Sequence, residues 1–322
     1  MTQVISNDVS AVTPELWSTM VQVPLYKSLV ALDISNMKLS DTVKYADTIH
    51  IPRFGSLSVQ SYTPGTTISA TAQDWAFDNL VVSSYKTVTF YVDDVHKLQS
   101  NVDQAREMAT EAAYQLKNQI DTDVLKNITG ADGFMPADNV DIGLGSTNGA
   151  PVSAGSANII NVFAGARKFL REHNVEETGD WCAVVTPKVA SFIETKAASV
   201  GFNVADATLR NGYAGDFMGF QVYISNNLPS GNLSAIAPAA GNGIIGGLSG
   251  ANASGTTPGR ATYFGKKGTI DVVMQKAPAL EVRLKDDMLG ANFITWTVYG
   301  STVTTKNRER GINLSMPTAF TG

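Results

Sequence analysis

The side chains of this 322-residue chain best suited to hold a cation are three acidic pairs, Asp93-Asp94, Asp121-x-Asp123 and Asp286-Asp287. Each falls at an expected element edge or on the polar side of a helix, where carboxylates serve as caps and solvated charges. None has the ligand run of a calcium loop. His50, His96 and His173 are scattered, with no i,i+4 pair and no cysteine partner, so they lack metal-ligand spacing. Gly241-Asn242-Gly243-Ile244-Ile245-Gly246 matches the glycine pattern of a dinucleotide loop. That chemistry requires a strand before the glycines and a helix after them, and the surrounding sequence supplies neither. A G-x-x-x-x-G-K-[ST] phosphate loop and a G-x-S-x-G nucleophile elbow are both absent from the sequence. The single cysteine, Cys182, lies in Trp181-Cys182-Ala183-Val184-Val185, which reads as a buried strand with an inert thiol. The chain is therefore expected to have no catalytic residue, no metal and no cofactor, and not to be an enzyme.

The elements that would carry these side chains are marked by an abrupt change of period near residue 93. From Thr48 to Val92 the apolar residues alternate, as Ile49 and Ile51, Leu57 and Val59, then Val88, Phe90 and Val92, with turn chemistry at Thr63-Pro64-Gly65. This predicts a long hairpin. Its middle, Ser58 to Asp74, is rich in Ser, Thr, Gln, Gly and Pro, so it has little with which to pack on its own globule and is expected to seek a neighbour. Ser100, three residues before Asp103, then predicts a capped helix start. Val102, Ala105, Ala109, Ala112, Ala113, Leu116, Ile120, Val124 and Ile128 follow at spacings of three and four. At roughly 1.5 Å per residue this helix would extend on the order of 40 Å. Its alanine-rich stripe suits a strut lying close against a sheet.

With 43% hydrophobic residues the chain can build two cores, or one core with a second lobe. No apolar run approaches the roughly 18 to 20 residues that span a bilayer, and Met1 to Ser10 lacks both a basic end and a hydrophobic segment. No membrane association is expected. Asn127-Ile128-Thr129, Asn232-Leu233-Ser234 and Asn252-Ala253-Ser254 are formal glycosylation acceptors that carry no weight without a secretory signal. Lys and Arg number 24 against 29 Asp and Glu, a net charge of −5, so the whole-molecule field repels phosphate and argues against a dedicated DNA reader.

Residues 1–46 read as an arm with short helical pieces, one starting at Thr13-Pro14-Glu15-Leu16-Trp17. Beyond the strut, Gly130 to Ser156 reads as loop. A helix over Ala157 to Arg171, a strand over Trp181 to Val185, a helix from Thr186-Pro187 to about Ala197 and a strand over Phe217 to Ile224 then make a compact α+β lobe. Ser230 to Gly259 is almost all small and polar and reads as a flexible surface insertion. Strands are expected again at Ala261 to Phe264, Thr269 to Gln275, Leu280 to Leu284 and Asn292 to Thr304.

The order of these parts resembles the major capsid proteins of tailed bacteriophages with the Hong Kong phage (HK-97) type of α+β fold. The residues that carry the resemblance are Asp47 to Arg53, Tyr62 to Gly65, Phe90 to Val102, Gly215 to Asn226 and the closing Val298-Tyr299-Gly300. It implies an N-terminal arm over residues 1–46, an extended loop over 47–92 that lies across an adjacent subunit, and an axial domain over 157–275 containing the insertion 230–259. A peripheral domain would combine 93–156, including a spine helix over 101–128, with 276–322. Arg53, Tyr62, Pro64, Gly65, Asp74, Trp75 and Trp17 would contact neighbouring subunits. Members of the family assemble as hexamers and pentamers into icosahedral shells around packaged double-stranded DNA, which implies itself as the main partner. A separate scaffolding protein is implied, since the arm is too short to contain one, together with a portal protein and, optionally, a decoration protein. Some relatives weld their shells by a lysine to asparagine bond, but no lysine lies between residues 51 and 85, so a non-crosslinked shell is expected. The same fold also suits an encapsulin-like compartment. An enzyme using the 157–275 lobe and a tail-tube protein are the readings from other classes.

Overall fold

The computed structural model describes residues 26–27, 29–40, 46–55, 57, 59–68, 75–93, 104–130, 133–135, 159–172, 174–200, 215–232, 258–284, 290–304, 307 and 310–317. Trp17, Asp74, Asp94, His96, His173, Asp286, Asp287, the expected cap at Ser100 and the 241–246 glycines lie outside them. Among the described residues no helix is long and apolar enough to cross a membrane.

The central strand of the larger sheet is β5 (Trp181–Val185), whose five consecutive residues are all buried. It pairs in parallel with β7 (Phe220–Ile224) and antiparallel with β9 (Pro258–Lys266), so both its edges and both its faces are covered. An uninterrupted apolar run is what such a position demands. The order across this sheet is β4 (Gly133–Met135), β12 (Gly311–Pro317), β9, β5, β7, β6 (Asp216–Phe217), with β8 (Ser230–Asn232) added on β9. Alternation along β5 sends Trp181, Ala183 and Val185 to one core and Cys182 and Val184 to another.

The first core is closed by α3 (Ile159–Glu172) and α4 (Pro187–Val200). Helix α3 buries Ile159, Val162, Phe163, Ala166 and Leu170, spaced as one helical face requires. Phe163 meets Phe264 edge-on at 5.0 Å and Phe217 at 4.9 Å. Helix α4 begins as its sequence predicts: the Val189 N–H donates to the Thr186 hydroxyl at 3.4 Å, and Pro187 opens the first turn.

The second core forms around α2 (Gln104–Lys126), which continues into a 3₁₀ turn at Asn127–Gly130. Ile120, Val124, Leu125 and Ile128 pack there with Cys182, Val184 and Tyr263 of the larger sheet and with Val272 and Tyr299 of a second, three-stranded sheet. That sheet has the order β10 (Asp271–Leu284), β11 (Gly290–Thr302), β3 (Ser84–Asp93). The strut thus holds the two sheets together through its C-terminal half. Ala112 is also buried, at 3% exposure, whereas Ala105, Ala109 and Ala113 are half-buried. Ala112→Glu is expected to destabilise the subunit by about 2–4 kcal/mol, since it puts an unpaired carboxylate into a site sized for a methyl group. An unchanged thermal midpoint would contradict this placement.

Six sequence expectations are corrected by the strand pairing. Two segments read as loop contain strand: Gly133–Met135, within 130–156, pairs with β12, and the insertion 230–259 begins and ends in strand, since Ser230–Asn232 pairs with Pro258 to Arg260. The hairpin does not run from Thr48 to Val92: β1 (Thr48–Phe54) pairs with β2 (Trp75–Val81), while β3 pairs with β11 in the three-stranded sheet. The Phe217 to Ile224 strand is a tight hairpin turning at Met218 (φ 51°) and Gly219 (φ 82°), the left-handed pair of a two-residue loop. The strands expected at 269–275 and 280–284 are one strand, β10, with register shifts between Met274 and Ala279 around Pro278, which cannot donate to a ladder. Finally, β12, grouped by sequence with the strands from 276 onward, belongs to the larger sheet beside β9 and β4.

Candidate assembly surface

The two faces of the β1–β2 hairpin differ sharply. Toward the body, Leu80 and the following Val82 are buried with Val273 and Val298, and Ile49, Ile51, Leu39 and Trp296 pack partly against them. The chain passes closely here, for a Cβ on Gly300 would stand 2.4 Å from the Val81 carbonyl oxygen. The opposite face shows Phe54, Trp75 and Phe77 to solvent, at 48%, 67% and 63% exposure. Phe54 meets Trp75 edge-on at 4.4 Å across the strands, and His50 meets Phe77 at 5.4 Å. The His50 Nδ1 also lies 2.6 Å from the Asn79 Oδ1. These rings order one another without leaving water. Beyond them Leu57, Val59 and Ile68 are more exposed still.

The tip of this arm is a type II turn. Pro64 fixes the first corner, Gly65 takes φ +91° at the second, and the Thr66 N–H and hydroxyl donate to the Thr63 carbonyl at 3.1 and 2.7 Å. Of the sequence-predicted contact residues, Tyr62, Pro64, Gly65 and Trp75 are exposed on this arm, whereas Arg53 is half-buried in the row that faces the body. Phe54 and Phe77 share the exposed face with Trp75 and were missed. Strand parity, with Trp75 and Phe77 two apart, is the signal that could have found them. A second exposed apolar pair, Leu280 and Val282, lies on β10 at the edge of the three-stranded sheet.

At the root of the arm, Lys276 Nζ stands 3.4 Å from the centre of the Trp296 ring and donates to Glu281 at 2.8 Å, as does the Trp296 indole N–H. The Lys276 and Trp296 donors hold the Glu281 carboxyl down at about 2. This cluster fixes the bulged stretch of β10 beneath the hairpin.

Of the acidic residues weighed as cation ligands, Asp121 and Asp123 have other partners. The Asp121 carboxylate, 2% exposed, accepts the Val30 and Ala31 N–H groups at 2.8 and 2.7 Å and the Asn227 side-chain amide at 2.9 Å. It thereby caps α1 (Ala31–Ile34), which has no side-chain cap of its own, and joins that segment to α2 and to the loop after β7. Asp123 accepts the Tyr299 hydroxyl at 2.6 Å, with Gln119 and Lys126 also donating. Burial, the largest influence, pushes its carboxyl up, and these donors together bring it below the ordinary carboxylate value. Burial and the bond to Asp123 push the Tyr299 hydroxyl up. Among the described residues no group of three or more His, Cys, Asp or Glu is placed to hold a metal ion. Cys182 is fully buried, and desolvation pushes its thiol up to about 12, out of reach of nucleophilic chemistry. What the geometry offers is a surface.

Comparison with known proteins agrees with that. The chain matches the model of a phage capsid protein family over residues 81–312. Comparison with characterised protein sequences returns no match. In fold it is similar to the solved structure from Mycobacterium phage Che8, with a TM-score of 0.71 at 19% identity over 96% of this chain and 98% of that one. It is similar to the capsid structure of the cyanophage P-SCSP1u, with a TM-score of 0.68 at 14% identity over 98% and 96%. The mature capsid of bacteriophage PhiM1 gives a TM-score of 0.67 at 14% identity over 96% and 93%. With that match covering most of the sequence and an HK-97-like α+β fold, the chain belongs to the phage capsid protein family, as a major capsid protein of a tailed phage.

Proposed function

We propose that copies of this chain assemble as hexamers and pentamers into an icosahedral shell enclosing packaged double-stranded DNA, each covering its neighbour's exposed hairpin face. The observation that carries this reading is the arm itself: Phe54, Trp75 and Phe77 are ordered on a hairpin yet left to water. Soluble monomers rarely show contiguous apolar surface of this kind without a partner for it. Covering it contributes roughly 25 cal/mol per Å² before the costs of association. In this reading the extended loop comprises 47–82, and the peripheral domain is α2 on the sheet of β3, β10 and β11. The axial domain is the larger sheet with α3 and α4, including β12, and 1–46 is the N-terminal arm. Tyr62, Pro64, Gly65, Trp75 and Arg53 contact a neighbour along the loop.

The net charge of −5 fits a lining that holds DNA without gripping it or reading its sequence. A separate scaffolding protein, a portal protein and a decoration protein are the further partners, with assembly in the host cytoplasm. With no lysine between residues 51 and 85, the loop forms no covalent weld. Electron micrographs of the particles formed by this chain should show closed shells that fall to single-chain bands on denaturing gels. Tubes, or a ladder of covalent oligomers, would contradict the reading.

A further inference from the structure

The two outer edges of the β1–β2 hairpin are not equivalent. The Val82 N–H donates to the Asp47 carbonyl at 2.7 Å, which makes that pair hydrogen-bonded and fixes the alternation along the ladder. In the observed register, Ile49 with Leu80, Ile51 with Asp78 and Arg53 with Ala76 then exchange backbone bonds across the hairpin. His50 with Asn79, Pro52 with Phe77 and Phe54 with Trp75 turn their backbone groups outward. The close side-chain approaches at His50 to Asn79 and Phe54 to Trp75 are those of non-hydrogen-bonded pairs. Pro52 therefore costs the hairpin nothing and removes a donor only from the outer edge of β1. The outer edge of β2 keeps the donors of Trp75, Phe77 and Asn79, and no other described strand pairs with it. Natural sheets block the edges they do not use; among the described residues this hairpin blocks one edge with Pro52 and leaves the other unpaired.

We propose that an extended segment of a second copy of this chain pairs with the outer edge of β2 along Trp75 to Asn79, and that Pro52 prevents the same pairing on β1. The inference rests on the reading of the hairpin as the assembly surface and adds a backbone ladder and a direction to it. A second copy is the occupant because the open edge is continuous with the Phe54, Trp75 and Phe77 face that a neighbouring subunit covers. One strand laid against β2 would bring its side chains beside those rings, and a shell of identical chains presents such a strand to every subunit. A two-stranded ribbon is marginal alone, and a third strand relieves that.

The test is a matched pair, Asn79→Pro and His50→Pro. Both remove the His50 to Asn79 side-chain contact and neither touches an inward backbone bond. His50→Pro also loses the ring contact with Phe77, which works against the expected difference, but only Asn79→Pro removes a donor from the β2 edge. Asn79→Pro is expected to lower the yield of assembled particles by at least about tenfold more than His50→Pro does. Equal yields from the two, whether high or low, would overturn the proposal. Phe77→Ser separates the two levels: normal assembly of that variant sinks the hairpin reading itself. A defect in Phe77→Ser with normal assembly of Asn79→Pro sinks only the strand pairing. Hydrogen exchange on the unsubstituted chain guards against misfolded variants. The amides of Trp75, Phe77 and Asn79 should slow by at least about tenfold on assembly while those of His50 and Phe54 do not, and equal behaviour at the two edges overturns the proposal.

Discussion

Replacing Asp121 by alanine is expected to destabilise the dissociated subunit by about 3–5 kcal/mol, the largest effect of any single side chain considered. The carboxylate is buried and accepts three donors from two other parts of the chain. Removing it leaves the Val30 and Ala31 N–H groups and the Asn227 amide without their acceptor, and each orphaned buried donor costs about 1–3 kcal/mol. Asn227 cannot simply turn, because its oxygen accepts from Lys27 and its nitrogen also donates to Asn118. Asp121→Asn should cost less, about 2 kcal/mol: its oxygen can still serve the two backbone groups, but its own amide faces another amide. Denaturant midpoints of the two variants, measured on subunits and not on particles, check this. A loss under about 1 kcal/mol in Asp121→Ala would mean that the junction is not a source of stability. The functional consequence is positional, since this carboxylate connects the segment at 26–34 to the helix that carries both sheets.

Deleting Ser58 to Gln73 has the opposite profile, little change in subunit stability and loss of closed shells. The strands β1 and β2 end at Phe54 and begin again at Trp75, and the body contacts come from Leu80, Val82 and Ile49, all outside the deletion. A short glycine-rich link can rejoin the strands at a loop-closure cost that changes only slowly with length. What disappears is the tip of the arm, including the preformed turn at Pro64-Gly65, which in the proposed reading lies across a neighbouring subunit. Particles of normal size and number from the deleted chain would show that the arm is dispensable.

Much of this fold could be read from local pattern. The α2 strut, the capped start of α4 and the apolar run of β5 each declare themselves within a dozen residues, because period, cap and composition agree. What escaped reading was set by distant partners. β12 (Gly-Ile-Asn-Leu-Ser-Met-Pro) has weak alternation of its own and becomes a strand by lying beside β9. Nothing in Val81-Val82-Ser83 announces that the chain leaves one sheet for another. Turn chemistry pointed to Tyr62, Pro64 and Gly65, but both rows of the hairpin carry apolar residues. Only packing against Val273 and Val298 decides that Ile49 and Leu80 face inward and Phe54 and Phe77 outward. Asp121 looked like a solvated helix carboxylate, because the two backbone donors it serves lie some ninety residues away.

Hydroxyl-radical footprinting of Phe54, Trp75 and Phe77, compared between dissociated subunits and assembled particles, reads out directly whether copies of the chain cover the arm. All three rings should oxidise readily in the subunit and be strongly protected in the particle. Equal oxidation in the two states would mean that these rings remain in water after assembly, and that the arm is not the surface by which the shell is built.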